Sequence, residues 1–346
     1  MRTSDEKLAV AIDRIRRDRY SRPTMTRYRI SASLPRDEAA PQFTAHRLTR
    51  EELGPLLERS DWPALARMTW HLGFLAATGS LIVAFQATVW VIPLIVAHGY
   101  ALAFLFCPFH ECTHRTAFRT RWLNVALGRF IGVLIFRPYD NYRVYHWEHH
   151  RFTQDPERDP ELSFPKPTSP GSYVLTLTGL PYLRRRFADM LVLVTGRAER
   201  PWMPANEHRR LIIEARAHLA IYLGAAAVSV ALASPTLLIV WFLPFLVGQV
   251  FMQPYLLAEH TGCAHTRDSL TNTRTTLTWA LVRLFAWNMP YHAEHHAYPA
   301  VPFHALPQLH ERVQDRLANV EPGYLAASVK VNRHLFDRQA PGWPGS

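Results

Sequence analysis

Two long stretches of this chain carry no formal charge. Leu72 to Pro108 contains no Asp, Glu, Lys or Arg, and neither does Ala217 to Ala258. A bilayer span takes roughly 20 apolar residues, so each stretch is long enough for two spans placed back to back. Each also has a break near its middle, Gln86 to Pro93 in the first and Ser234-Pro235-Thr236 in the second. The pattern predicts two helical hairpins, hence four transmembrane helices and an all-α integral membrane fold. The alternative is a pair of long buried helices in a soluble protein. Soluble helices average roughly 11–12 residues, which argues against it.

Charge placement agrees with the membrane reading. Arginines crowd the N-terminal arm (Arg14, Arg16, Arg17, Arg19, Arg22), the segment after the first hairpin (Arg115, Arg119, Arg121), and Arg184 to Arg186, Arg209 and Arg210. The two inter-helix turns carry none. By the positive-inside rule the basic segments, and with them both termini, face the cytoplasm. A net charge of +11 then meets anionic headgroups and would attract an acidic protein partner. Nucleic acid is not expected, because the arginines bracket apolar spans. No secretory signal is expected either, since the first apolar span begins near residue 70, behind a charged arm. Cys107, Cys112 and Cys263 form no Cys-x-x-Cys pair, so neither a zinc finger nor a thioredoxin motif is predicted.

Three regions follow from these patterns: a cytoplasmic arm over 1–60, a membrane catalytic domain over 61–318 and a C-terminal tail over 319–346. Pro23, Pro35, Pro41 and Pro55 interrupt the arm, while Thr49-Arg50-Glu51-Glu52 has the form of a capped helix start. Leu123 to Phe136 is apolar but too short to span, and Tyr173 to Val194 carries Arg184 to Arg186. Both are read as interfacial helices. A short helix is expected around Leu306 to Leu317.

Three clusters hold eight of the 18 histidines: His110-Glu-Cys-Thr-His114, His146-Trp-Glu-His149-His150 and His292-Ala-Glu-His295-His296. Residues three and four apart share a helix face, and neutral imidazole is the commonest metal ligand. Eight such ligands exceed what one ion needs. The hairpins each cross twice and return, so all three clusters lie on one side of the membrane. His260, just past the second hairpin, joins them there. The expectation is a cytoplasmic cap carrying a histidine-rich dimetal site. His110-Glu111-Cys112-Thr113-His114 taken alone matches the H-E-x-x-H zinc metalloprotease signature. A catalytic zinc takes three protein ligands, which leaves at least five clustered histidines unused. A metal transporter or sensor would place polar ligands in mid-membrane, whereas these clusters lie at or beyond helix ends.

The set His-x3-His, His-x2-His-His, His-x2-His-His, in this order with membrane hairpins between, resembles the membrane fatty-acid desaturase and hydroxylase superfamily over roughly residues 65 to 315. Asp159-Pro160-Glu161, Asn288 to His296 and Val301-Pro302-Phe303-His304-Ala305-Leu306-Pro307 are similar to that family as well. The resemblance implies metal ligation by His110, His114, His146, His149, His150, His292, His295 and His296. It implies a ninth ligand at His260, within Ala258-Glu259-His260-Thr261-Gly262. His265 and Asn288 are weaker candidates. His46, His71, His98, His208, His218, His304, His310 and His334 lack cluster spacing and are assigned no metal role.

Glu111, Glu148 and Glu294 accompany the boxes, and Glu259 stands beside His260; their expected role is to orient the imidazoles through the second ring nitrogen. Asp155 and Asp159 either do the same or cap turns beside Pro156 and Pro160. Imidazole suits zinc, copper, iron and nickel alike. A pair of irons, with O2 as co-substrate, comes from the resemblance. No G-x-G-x-x-G, iron–sulfur cysteine set or C-x-x-C-H motif is present, so electrons are expected from a separate ferredoxin, rubredoxin or cytochrome with its reductase. Arg184, Arg185 and Arg186 are a candidate dock for an acidic carrier. The expected activity is desaturation of a lipid or acyl chain, with hydroxylation or another monooxygenation of a lipid or small molecule as the alternative. Trp70, Trp90, Trp147, Trp241 and Trp287 are candidate walls of a substrate tunnel.

Overall fold

Helix α1 (Trp62–Phe85) runs into a short turn and returns as α2 (Val91–Phe104), which continues almost directly into α3 (Phe106–His114). The computed structural model describes residues 48–198, 200 and 202–336; the expectations for the arm before Leu48, including its arginines and His46, lie outside them. Two amphipathic helices follow the first hairpin, α4 (Arg121–Leu134) and α5 (Tyr139–Phe152), then two shorter ones, α6 (Pro170–Leu177) and α7 (Leu180–Val194). The second hairpin is α8 (His208–Ala231) and α9 (Leu243–His260), the latter entered through a π-turn over Leu238–Phe242. Four helices, Trp62–Phe85, Val91–His114, His208–Ala231 and Leu238–His260, are long and apolar enough to cross a membrane. Their outward faces are apolar: Ile92, Leu223, Val228, Val230 and Leu238 are all more than half exposed. Water would not tolerate such a surface on a monomer, and a bilayer would. The chain is an all-α membrane fold.

The two hairpins meet most closely where α2 crosses α9. A Cβ on Gly99 would strike the carbonyl of Pro244, and one on Gly248 would strike the carbonyl of Gly99. Paired small residues let two backbones approach where the hydrophobic effect supplies no drive between helices. This crossing sets α3, the extension of α2, beside the C-terminal end of α9, and so sets His110 near His260.

Helix α4 exposes Trp122 and Phe130 and buries Asn124, Gly128, Ile131 and Gly132, as an interfacial helix should. Gly128 leaves room for the Tyr139 ring, whose hydroxyl donates to the Cys112 carbonyl at 2.9 Å. The first turn of α5 is tied to α8, where the Glu214 carboxylate accepts the backbone N–H groups of Asp140 and Asn141 at 2.9–3.2 Å. A carboxylate at a helix N-terminus satisfies orphan donors and complements the dipole. Asp140 in turn pairs with Arg129 and Arg210 at 2.8 and 2.7 Å.

Beyond α9 the chain is short pieces: strand β1 (Thr275–Thr276), α10 (Ala280–Phe285), α11 (His292–Ala297), α12 (Leu306–Val313), strand β2 (Val320–Glu321) and α13 (Tyr324–Phe336). Packed chain extends beyond residues 61–318 at both ends. Thr49 and Glu52 form a reciprocal capping box, and Leu48 and Leu56 sit in the main core, so the chain is packed from residue 48 rather than 61. At the other end β2 pairs in parallel with β1, and α13 buries Ala327, Val331 and Leu335. Residues 320–336 are thus part of the domain. Both segments pair with partners far along the chain, which sequence periodicity does not report.

Candidate metal centre

Nine histidines meet at the ends of α3, α5 and α9 and on α11. His110 and His114 share a face of α3, and His146 and His150 share one on α5. With His295 they form one group whose ring nitrogens lie within 4.8 Å of one another. His149, His260 and His296 form a second such group. His292 sits beside that second group, with its Nε2 3.2 Å from Nε2 of His260. All nine sequence candidates therefore converge, divided between neighbouring sites. The sites touch through His150 and His296, whose rings stack at 4.0 Å.

The arrangement fits a pair of metal ions. Nε2 of His146 lies 2.9 Å from Nε2 of both His114 and His150, and Nε2 of His149 lies 3.2 Å from Nε2 of His260. Nitrogens bound about 2.0–2.1 Å from one ion at tetrahedral to octahedral angles stand about 2.8–3.4 Å apart. Both ring nitrogens of His110 and His295, and Nε2 of His296, are buried without a hydrogen-bond partner. A buried polar atom without a partner is costly, and a metal ion removes that cost.

Five of the imidazoles are held in the neutral form a metal needs. Burial holds His146, His150, His292 and His296 well below the ordinary imidazole range, and takes His295 down to about 3. His149 goes the other way. Burial lowers it, but the Glu161 and Asp159 carboxylates outweigh that and raise it to about 9. For the five lowered groups the unfolded chain binds more protons than the folded one as the pH falls below the unfolded value near 6.5. Their stabilisation is therefore complete above about 6.5 and lost as the pH falls. His149 has the opposite sign: its contribution is complete below about 6.5 and lost as the pH rises through 9. Five against one, the metal-free protein should unfold at a lower temperature at pH 5 than at pH 7.5. Thermal scans of chelator-treated protein measure this, and an equal or higher midpoint at pH 5 would contradict it.

The carboxylates that touch the imidazoles are not the ones the boxes suggest. Glu111 accepts the Phe303 backbone N–H at 3.0 Å. Glu148 pairs with Arg151 at 2.5 Å. Glu294 accepts from Thr275 Oγ1 and meets His310 Nδ1, each at 2.5 Å. For Glu148 and Glu294 the cause is helical phase: each is one or two positions from its box histidines, and such neighbours do not face each other. Glu111 is three positions from His114 but is taken up by the Phe303 N–H. Glu111 and Glu294 instead hold the surrounding loops and helices in place. Asp159 does touch a box histidine, with Oδ1 2.9 Å from His149 Nδ1 and Oδ2 accepting the Gln154 N–H at 2.8 Å. Glu161 lies 3.5 Å from His149 Nε2, and Glu259 lies 3.6 Å from His292 Nδ1. Asp155 caps the loop through the N–H groups of Glu157 and Arg158.

Several supporting residues left no mark in the sequence pattern. Thr153 Oγ1 donates to the His149 carbonyl at 2.7 Å and lies 3.2 Å from His296 Nδ1. Gln154 Nε2 donates to the His260 carbonyl at 2.6 Å. Arg274, fully buried, donates to the carbonyls of Ala258 and Thr261 and so closes the end of α9 that presents His260. His265 bonds the Gln154 carbonyl through Nδ1 at 3.2 Å, and Asn288 donates to the Phe303 carbonyl at 2.9 Å; neither belongs to the two histidine groups. Partners that orient ligating histidines are worth about 10–100-fold in metal affinity. Asp159→Asn should weaken metal retention by about that factor, since it removes the charge while keeping the shape. Titration with a competing chelator reads the change, and unaltered retention would contradict the orienting role.

A cavity of about 480 Å³ opens onto the histidines and reaches His110, His146, His149, His260 and His292. Its aromatic walls are Phe106, Tyr142, Tyr145, Phe164 and Tyr182, not the five tryptophans. Trp90 is largely exposed and Trp287 is buried against Phe303. Trp241 donates to the Leu134 carbonyl at 2.7 Å. Trp147 meets His114 edge-on at 5.0 Å from outside the cavity. Arg184, Arg185 and Arg186 line the cavity too, and Arg185 is bonded to Ser163. Neutralising all three would disturb the cavity as well as any carrier dock.

Residues 94–327 match the family model for fatty acid desaturases. The chain is 28% identical over 250 residues to a dihydrorhizobitoxine desaturase of Bradyrhizobium elkanii, covering 68% of this chain and 69% of the relative. It is 24% identical over 173 residues to an sn-1 oleoyl-lipid 12-desaturase of Anabaena variabilis, covering 47% and 48%. Identity to a sphingolipid delta(4)-desaturase of Komagataella phaffii is 26% over 228 residues, covering 61% and 58%.

Proposed function

Because the chain belongs to the fatty acid desaturase family, we propose that it is an O2-dependent oxidase whose nine histidines hold two irons and which desaturates a lipid or a related membrane-borne molecule. The observation that carries this reading is the division of the histidines into adjoining groups with partnerless ring nitrogens, beside a cavity that admits a substrate. Iron, when bound, supplies the dioxygen activation that breaks an unactivated C–H bond. The chain's own residues do the rest. Asp159 keeps the His149 ring in one orientation, and Glu259 faces His292. Arg274 and Gln154 hold the end of α9. Phe106, Tyr142 and Tyr145 line the space in which the substrate lies against His110 and His146.

The electron balance requires a partner. Desaturation draws two hydrogens, with their two electrons, from neighbouring carbons. Reduction of O2 to two waters takes four electrons, so two more electrons and two protons come from outside. A ferredoxin, rubredoxin or cytochrome with its reductase is the donor in this reading, approaching from the cytoplasmic face, where the basic segments lie. Metal analysis and mass spectrometry of lipids from a host expressing the chain with a matched carrier test the proposal. The expected results are two irons per chain and a product lighter by two hydrogens. A single zinc refutes the iron assignment, and a product heavier by one oxygen refutes desaturation.

A further inference from the structure

The cavity carries charges of both signs. Its carboxylates stand at the histidine end, where Asp159 and Glu161 face His149 and Glu259 faces His292. Its walls also carry cations: Lys166, which is attracted by Glu161 and Asp159, and Arg137 and Arg186, which feel Glu161 and Asp189 at longer range but hydrogen-bond no carboxylate. The Arg137 guanidinium lies 4.0 Å from the Tyr142 ring centroid and 5.3 Å from that of Phe106. Arg186 lies 5.0 Å from the rings of both Phe164 and Tyr182. Neither has a side-chain hydrogen bond or ion pair among the described residues, and the Nε atoms of both are buried without a partner. Arg137 is only 6% exposed and lines the cavity. An enclosed guanidinium stacked on ring faces, with Glu161 attracting it only at longer range and no carboxylate hydrogen-bonded to it, leaves donors unsatisfied at a cost. Arginine's fork of donors matches a carboxylate or phosphate, and burial strengthens that pairing.

The place of these cations relative to the histidines matters as well. Tyr142 separates them: its ring lies 4.0 Å from Arg137 and stacks on His146 at 5.0 Å between centroids. On the apolar side of Arg137, the void lined by Ala103, Ile135, Phe245 and Met252 is about 10 Å³, scarcely the size of one water. The open space therefore lies between the cations and the histidines, within the range of about 300–1,000 Å³ typical of small-molecule sites.

We propose that this cavity takes an anionic substrate, whose single carboxylate or phosphate is held by Arg137 and Arg186 across Tyr142 from the histidines. The proposal rests on the oxidase reading for its placement of the reacting carbon, but the anion site can be measured separately. Hexanoate, hexyl phosphate and methyl hexanoate would be titrated calorimetrically into full-length protein in an uncharged detergent, with and without iron. One or both anions should bind at least about tenfold more tightly than the neutral ester, the scale of a charge-assisted pair. A preference for hexanoate assigns the site to a carboxylate, and one for hexyl phosphate to a phosphate. Arg137→Gln should abolish that preference, while Arg209→Gln, an exposed arginine away from the cavity, retains it. If Arg137→Gln fails to fold, Arg186→Gln should give the same loss. Equal binding of ester and anions overturns the proposal. So does an anion preference that survives both substitutions, since the anion would then bind elsewhere. Iron content and turnover, measured on the same preparations, separate the two ideas. Intact iron and turnover without anion preference sink the anion site alone. An iron-free, inactive protein that still prefers anions sinks the oxidase reading alone.

Discussion

His149→Ala is expected to lose iron and turnover together. His149 sits where both constraints on the second histidine group meet. Its Nε2 lies 3.2 Å from that of His260, and its Nδ1 is held by Asp159 at 2.9 Å. Removing it leaves His260 and His296 to hold an ion with the help of His292, and leaves Asp159 with only the backbone N–H groups of Gln154 and Glu161 as partners. Loss of a supporting group costs about 10–100-fold in affinity, so loss of the ligand itself should exceed that. Iron content should fall towards one per chain, the five-histidine group keeping its own. Turnover should drop more than about 100-fold, because the proposed oxidase uses both ions. Elemental analysis alongside product formation measures this. A variant that turns over normally with its iron halved would refute a role for the second group.

Gly248→Leu should prevent the site from assembling at all. The α2–α9 crossing depends on backbone contact, and a side chain at Gly248 meets the Gly99 carbonyl and the Ala103 Cβ. Neither can move without moving a helix. Overpacking usually costs about 1–3 kcal/mol, and a clash with backbone belongs at or above the top of that range. Gly248→Ala should lower the unfolding temperature measurably, while Gly248→Leu should fail to accumulate as folded protein. The loss should extend to the metal, since the crossing places α3 beside His260. Thermal unfolding and iron content of purified variants check it. A Gly248→Leu protein with the parent's midpoint and full iron would show that the crossing does not control the site.

The local half of this architecture was legible in the residues. Charge-free runs and their breaks marked both hairpins, but each first helix starts about two to three turns ahead of its run, at Trp62 and at His208, the latter taking in Arg209, Arg210, Glu214 and Arg216. In the first hairpin Arg67 lies within the helix and its guanidinium turns to the Arg283 carbonyl. Histidine spacing marked the faces of α3, α5 and α11, and hairpin topology predicted that His260 would join them. The same spacing misdirected the glutamates. Glu148 and Glu294 are near the boxes in sequence but rotated off their faces, so they found Arg151 and His310 instead, while Glu111 is taken up by the Phe303 N–H.

What the sequence by itself determined is everything written in periods of a helical turn or a bilayer width: the four apolar spans, the histidine-bearing faces and the single side on which they gather. Those features depend on residues within one element. Only the tertiary structure decided how eight imidazoles divide between two groups with His292 beside the second, that Asp159 rather than a box glutamate touches His149, and that Arg137 and Arg186 line the same cavity as the histidines. Each of these joins residues from different elements, brought together by the α2–α9 crossing and by the loops after α5 and α9. Contacts of that kind carry no sequence period, because their distance is fixed by packing rather than by the chain between them.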